Sequence, residues 1–146
     1  MDTRPLQRTE PPTCSVWTVD PGLNILRDNL GKTGRGRDQH DFEAGVAWLL
    51  WMMGFSTAHL GGDKRFESAD LILVTPAGHF AVVECTTGLL KADSKMARVI
   101  ERAERVRAQV QGSGFRVLPV MVTSKTRADV KADLEEAVAS RLQVSK

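Results

Sequence analysis

The chain has 146 residues, 42% of them apolar and 26% charged, and its formal net charge is +2. This is the size of one domain with one core, and the composition is that of a globular chain, which excludes a disordered or fibrous one. So small a net charge makes no bulk case for nucleic acid, and the distribution of charge has to decide.

The two cysteines, Cys14 and Cys85, lie far apart and match no metal or redox spacing, so neither a zinc site nor a disulfide framework is expected. Cys85 falls inside an apolar strand, where a small buried hydrophobe fits. The N-terminal stretch MDTRPLQRTEPP is polar and proline-containing, unlike a signal peptide. The longest apolar stretch, Gly45 to Phe55, is too short to cross a bilayer. The expectation is a soluble protein of a reducing compartment, the cytoplasm, with no membrane partner.

Residues 1 to 38 read as an irregular leader punctuated by Pro5, Pro11, Pro12 and Pro21, with Cys14 to Val19 as a candidate edge strand. The leader ends in Arg27 to Arg37, RDNLGKTGRGR, which sets four positive charges against one negative and reads as a flexible loop. Residues 39 to 146 read as one α/β domain. Its first helix carries Phe42, Val46, Leu49, Leu50 and Met53 at helical spacing, with Asp38 or Asp41 as cap and Gly54 as stop. Trp48 and Trp51 lie off that stripe, where they would serve a second interface. Phe55 to Leu60 is a short strand, and Gly61-Gly62-Asp63 breaks the chain.

Ala69 to Val74 and Phe80 to Thr86 are two apolar strands joined by a short turn that holds Pro76 and Gly78. They predict an antiparallel hairpin with both faces covered. Met96, Val99, Ile100, Ala103, Val106 and Val110 then mark a long amphipathic helix, ended by Gly112-Ser113-Gly114. Phe115 to Val122 is the fourth strand. Thr126 caps a last helix that reaches about Leu142, with Val130, Leu134, Ala137 and Val138 on one stripe. The third strand, the long helix and the fourth strand make a right-handed βαβ unit with parallel strands. The expected architecture is a mixed sheet flanked by helices on both faces.

The chemistry sits in the hairpin. Asp70 opens its first strand and Glu84 lies near the end of its second, equally far from a turn centred on residue 77. They are therefore cross-strand neighbours, with Cβ atoms about 5 Å apart. Two carboxylates so close repel each other, and a hard divalent cation such as Mg²⁺ relieves the repulsion. Two structural readings stand beside this one. A strand-end Asp can be a turn residue, and a buried Glu can be salt-bridged to a Lys or Arg of a neighbouring helix.

Asp70, a hairpin and then Glu84-Cys85-Thr86 resemble the PD-(D/E)XK nuclease superfamily. Its restriction-endonuclease-like core has the order helix, three strands, helix, strand, which residues 40 to 123 follow. The resemblance implies a Mg²⁺- or Mn²⁺-dependent endonuclease that hydrolyses phosphodiester bonds in DNA more readily than RNA. It would work as a homodimer or as a module of a larger assembly. Asp70, Glu84 and the backbone carbonyl of Cys85 would ligate the metal, and Glu43 corresponds to an acidic residue that many members carry on the first helix. A first-turn Glu favoured by the helix dipole is the plain alternative for Glu43. Ala69 replaces the motif proline, and Thr86 replaces the motif lysine, which polarises the attacking water or steadies the phosphate. Some members carry that cation on the following helix, which points to Lys95 ahead of Lys91, with Thr86 assisting through a hydrogen bond. The same departure supports a catalytically inactive module of this fold that binds nucleic acid or protein. An unrelated α/β domain with a structural Asp/Glu pair is a further reading.

Gly31-Lys32-Thr33 lacks the first glycine of a phosphate-binding loop, since Leu26 stands there, and is rejected as one. Lys32, Arg35 and Arg37 remain candidates for phosphate-backbone contact, as do Lys64 and Arg65 just before Asp70, and Lys91. Arg98, Arg102, Arg105 and Arg107, interleaved with Glu101 and Glu104, read as a solvated helix face. His40, His59 and His79 show no ligand spacing.

Overall fold

A computed structural model describes residues 19–60, 69–88, 95–132 and 135. Four strands form one sheet in the order β1 (Ser56–His59), β2 (Leu71–Val74), β3 (Phe80–Thr86) and β4 (Val117–Thr123). β1 pairs antiparallel with β2, β2 antiparallel with β3, and β3 parallel with β4. The meander, the hairpin and the parallel βαβ pairing are those expected, and β3 has the expected bounds.

The alternation along β2 and β3 sends side chains to two different helices. Leu71, Leu73, Ala81, Val83 and Cys85 face Phe42, Val46 and Ala47 of one helix, α2 (Arg37–Met52). Val82 instead packs with Ala69, Val117 and the Val99 and Ala103 of α3 (Lys95–Gln109). Both faces of β3 are thus covered, which explains its unbroken apolar run.

The irregular leader has to be corrected. Asn24–Leu30 is a helix, α1, in a stretch assigned to leader and flexible loop. Its first turn is tied down by the buried Asp20, whose carboxylate accepts from the N–H of Asn24 at 2.8 Å and of Leu26 at 3.1 Å. Leu26 is buried, and α1 packs on α2 where Gly45 leaves room: a Cβ there would lie 3.0 Å from the Cβ of Asn29. Of the candidate edge strand from Cys14 only Val19 is described, and it is helical.

α2 begins at Arg37, one turn of chain earlier than its apolar stripe. Neither Asp38 nor Asp41 caps it: Gly36 is the N-cap, without a side-chain bond, and Asp38 lies in the first turn. Gly54 closes the other end as expected, at φ 92°, with its N–H on the carbonyl of Trp51 and that of Phe55 on the carbonyl of Leu50. This is a Schellman closure, which needs a left-handed residue. Leu49 and Met53 are exposed, and Trp48 and Trp51 are half-buried. On α3 the buried stripe is Lys95, Val99 and Ala103, while Met96 and Ile100 face outward. The apolar positions alone misplace the stripe because a lysine belongs to it.

Thr126 starts the last helix as expected: its hydroxyl accepts from the N–H of Asp129 at 3.3 Å, and residues 127 to 132 are helical. The rest of that helix, with Leu134, Ala137 and Val138, lies outside the described residues. Among the described residues no helix is long and apolar enough to cross a membrane.

Gly45→Val should wedge α1 away from α2 and cost about 1–3 kcal/mol, since overpacking against backbone has no flexible neighbour to absorb it. Urea unfolding measures this, and an unchanged midpoint would show that α1 contributes nothing to the core.

Candidate active site at the open end of the hairpin

Leu71 is registered with Val83, so the next pair outward is Asp70 with Glu84. The Asp70 backbone is fixed by the N–H of Leu60, which donates to its carbonyl at 2.8 Å. The two acids therefore sit at the end of the sheet where β3 meets the start of α3, as the spacing about residue 77 required.

Each carboxylate has a partner of its own. That of Asp70 accepts from the backbone N–H of Cys85 at 2.7 Å. That of Glu84, 5% exposed, is held by the guanidinium of Arg102 from α3 through both oxygens. This is the salt bridge to a neighbouring helix weighed as an alternative for Glu84. The buried Glu43 of α2 accepts from the side-chain amide of Gln39 at 3.1 Å through Oε1. Its other oxygen, Oε2, is buried without a hydrogen bond, with His40 Nδ1 at 3.5 Å and His59 Nε2 at 3.7 Å.

Lys95 lies in the same cluster. Only 8% exposed, it donates from Nζ to the carbonyl of Cys85 at 3.3 Å. Such an acceptor offsets part of the cost of burying the amine. Cys85 thus has its N–H on Asp70 and its carbonyl on Lys95, so one peptide segment of β3 positions both charges. Thr86 is fully buried, and its hydroxyl accepts from the N–H of Gly88 at 3.1 Å.

The electrostatics follow from this crowding. Burial is the largest cause that pushes the Asp70 carboxyl up, to about 6, and the charges of Glu84 and Glu43 push the same way. The Cys85 N–H and Lys95 oppose them. Burial first, then Asp70, Glu43 and Glu84, raise the free thiol of Cys85, which therefore stays protonated and inert.

The donors are hard oxygens of the kind Mg²⁺ and Mn²⁺ take, and the buried Glu43 oxygen without a hydrogen bond is an acceptor of the same kind. Yet among the described residues no three His, Cys, Asp or Glu side chains converge as a ready metal cage. Arg102 and the Cys85 N–H hold two of the donors instead.

The more distant candidates divide. The basic loop is tethered beside the end of β3, where the hydroxyl of Thr87 donates to the carbonyl of Gly34 at 2.6 Å. Arg35 on it and Arg37 at the start of α2 are exposed, whereas Lys32 is bonded to Asp28 at 3.2 Å, which raises its pKa. Lys64, Arg65 and Lys91 lie outside the described residues. Arg105 and Arg107 pair with Glu101 and Glu104 on the exposed face of α3, as read from their spacing. Arg102 does not belong with them, and its stripe, seven residues on from Lys95, was the signal. His40 has a signal too, three residues before Glu43 on one helix; His59, from a separate strand, has none. His79 serves the turn, its Nδ1 accepting from the N–H of Arg116 at 3.2 Å. Compared with family models, curated proteins and solved structures, the chain gives no match.

A carboxyl raised to about 6 in the folded chain and near 3.8 when unfolded binds its proton more tightly in the folded state. The chelator-treated protein should therefore lose stability as pH rises from about 4 to about 6, by roughly 1–3 kcal/mol. Asp70→Asn keeps an acceptor for the Cys85 N–H, so it should remove that dependence and stabilise the protein at pH 7. Thermal melts across this range decide it, and an unaltered pH profile in the variant would show that Asp70 is not the strained group.

Proposed function

We propose that this chain is a metal-dependent nuclease with a restriction-endonuclease-like core, hydrolysing phosphodiester bonds in DNA. The observation that carries this reading is the buried Lys95 ammonium, held on the Cys85 carbonyl beside the in-register Asp70 and Glu84. It supplies from α3 the fixed positive charge that Thr86 cannot supply from β3.

In this reading Asp70, Glu84 and the carbonyl of Cys85 bind Mg²⁺ or Mn²⁺, with Glu43 as a further acidic group. The bound cation would lower the pKa of a water and polarise the scissile phosphate. Lys95 is already desolvated and oriented, so its charge acts on a phosphate with little screening. Thr86 accepts from Gly88 and keeps its own hydroxyl proton to donate. Arg35 and Arg37 add sequence-independent phosphate contacts. A domain of this size would act as a homodimer or within a larger assembly.

A second reading, an inactive module of the same fold that binds nucleic acid, is favoured by the Arg102 pair, which already neutralises Glu84.

Incubation with plasmid and single-stranded substrates under Mg²⁺, Mn²⁺ and EDTA separates the two. We expect metal-dependent cleavage that falls at least about 100-fold in Asp70→Ala, Glu84→Ala and Lys95→Met, the scale set by removing one preorganised electrostatic group. Binding without cleavage would favour the inactive module. Full cleavage by both carboxylate variants would remove the assignment.

A further inference from the structure

The spacing of Arg102 puts it on a solvated face, yet its side chain is only 17% exposed and meets both oxygens of Glu84. It also lines an open cavity of about 390 Å³ on the outer side of α3 with Arg98, Glu101 and Arg105. Arg102 therefore stands between two places: the carboxylate cluster at the end of β3, and an open groove on one face of α3 lined also by Arg98, Arg105 and Glu101. Glu101 is the acidic residue of the groove, and its carboxylate is engaged by Arg105.

A single guanidinium nitrogen of Arg102 meets both oxygens of Glu84, on the lone pairs that a divalent cation would use. The two cannot hold Glu84 in the same way at once. A guanidinium also matches the oxygens of a phosphodiester as well as those of a carboxylate. Resting on the nuclease reading above, we propose that Arg102 is an exchangeable counter-ion. It holds Glu84 while no metal is bound, yields it to the divalent cation, and then contacts the phosphate backbone of a nucleic acid lying in the groove of Arg98, Arg102 and Arg105. Arg102 is thus a positioning residue that couples metal binding to substrate binding, because the contact that leaves the carboxylate is the one the substrate gains.

The exchange gives Arg102 opposite effects on two ligands, which a merely structural pair would not. Calorimetric titration with Mn²⁺ should show Arg102→Gln binding the ion about tenfold more tightly than wild type, since its competitor is gone. Arg102→Lys keeps the charge that the buried Glu84 needs but not the planar guanidinium or its reach, so it should fall between them and remains informative if the Gln variant unfolds. For the second ligand, binding of a short DNA duplex is measured in EDTA. Glu84→Gln, which releases Arg102, should bind several-fold more tightly than wild type. Glu84→Gln/Arg102→Gln should lose that gain, with the slope of log affinity against log salt smaller by about one.

Wild-type protein that binds Mn²⁺ no more weakly than either Arg102 variant would overturn the exchange and leave the nuclease reading intact. Equal duplex affinity and salt slope in the single and double Glu84 variants would overturn the phosphate contact. Absence of Mn²⁺ binding in wild type and both variants would remove the metal site itself and the exchange with it.

Discussion

The hairpin register between β2 and β3 fixes which side chains share the end of the sheet, and the site depends on it. Pairing Leu71 with Val83 makes Asp70 and Glu84 neighbours. A slip by one residue would send Asp70 opposite a different residue and turn the apolar set of β2 to the wrong helix. The register is in turn held by burial on both faces, with Leu71, Val82 and Val83 fully enclosed. The same packing that stabilises the strands therefore forces two carboxylates together where water is scarce, and the energy of the core is what holds an electrostatically unfavourable cluster in place.

Around that pair, the chain satisfies each charge from a different element. β3 offers its own backbone, with the Cys85 N–H on Asp70 and its carbonyl on Lys95. α3 offers Lys95 and Arg102, and α2 brings Glu43 with one oxygen unsatisfied. The arrangement is balanced in charge only locally and through few bonds. That is the condition in which a new cation or anion can replace an existing partner at modest cost, and it distinguishes this end of the sheet from the opposite one, where the T-shaped contact of Phe80 with Phe115 is apolar.

Much of this was legible in the sequence, for identifiable reasons. The strands announce themselves through apolar runs bounded by turn residues, and the Asp70–Glu84 pairing follows from counting seven residues outward from Ala77 on each side. The Thr126 cap is a local hydrogen bond and so a local signal. What was missed depends on contacts distant in sequence. Helix α1 looks like a proline-broken leader until Asp20 is seen to cap it and Gly45 to receive it. The α3 stripe was misdrawn because Met96 and Ile100 are apolar and Lys95 is not, although Lys95 is the one buried. The charge pattern around Arg102 is that of a solvated face, and only its place on the Lys95 stripe sets it apart from the other arginines.

Among the described strands β2 and β3 both have partners on two sides, but β3 alone is antiparallel to one and parallel to the other. The parallel partner arrives only after α3 has crossed over, and the crossover itself carries Lys95 and Arg102. The hairpin alone can bring Asp70 to Glu84 early in folding, from local contacts. The cations that make this pair tolerable come with the slow, non-local step that docks β4. Closure of the crossover is thus favoured by the charge of the two acids as well as by the apolar surface it buries.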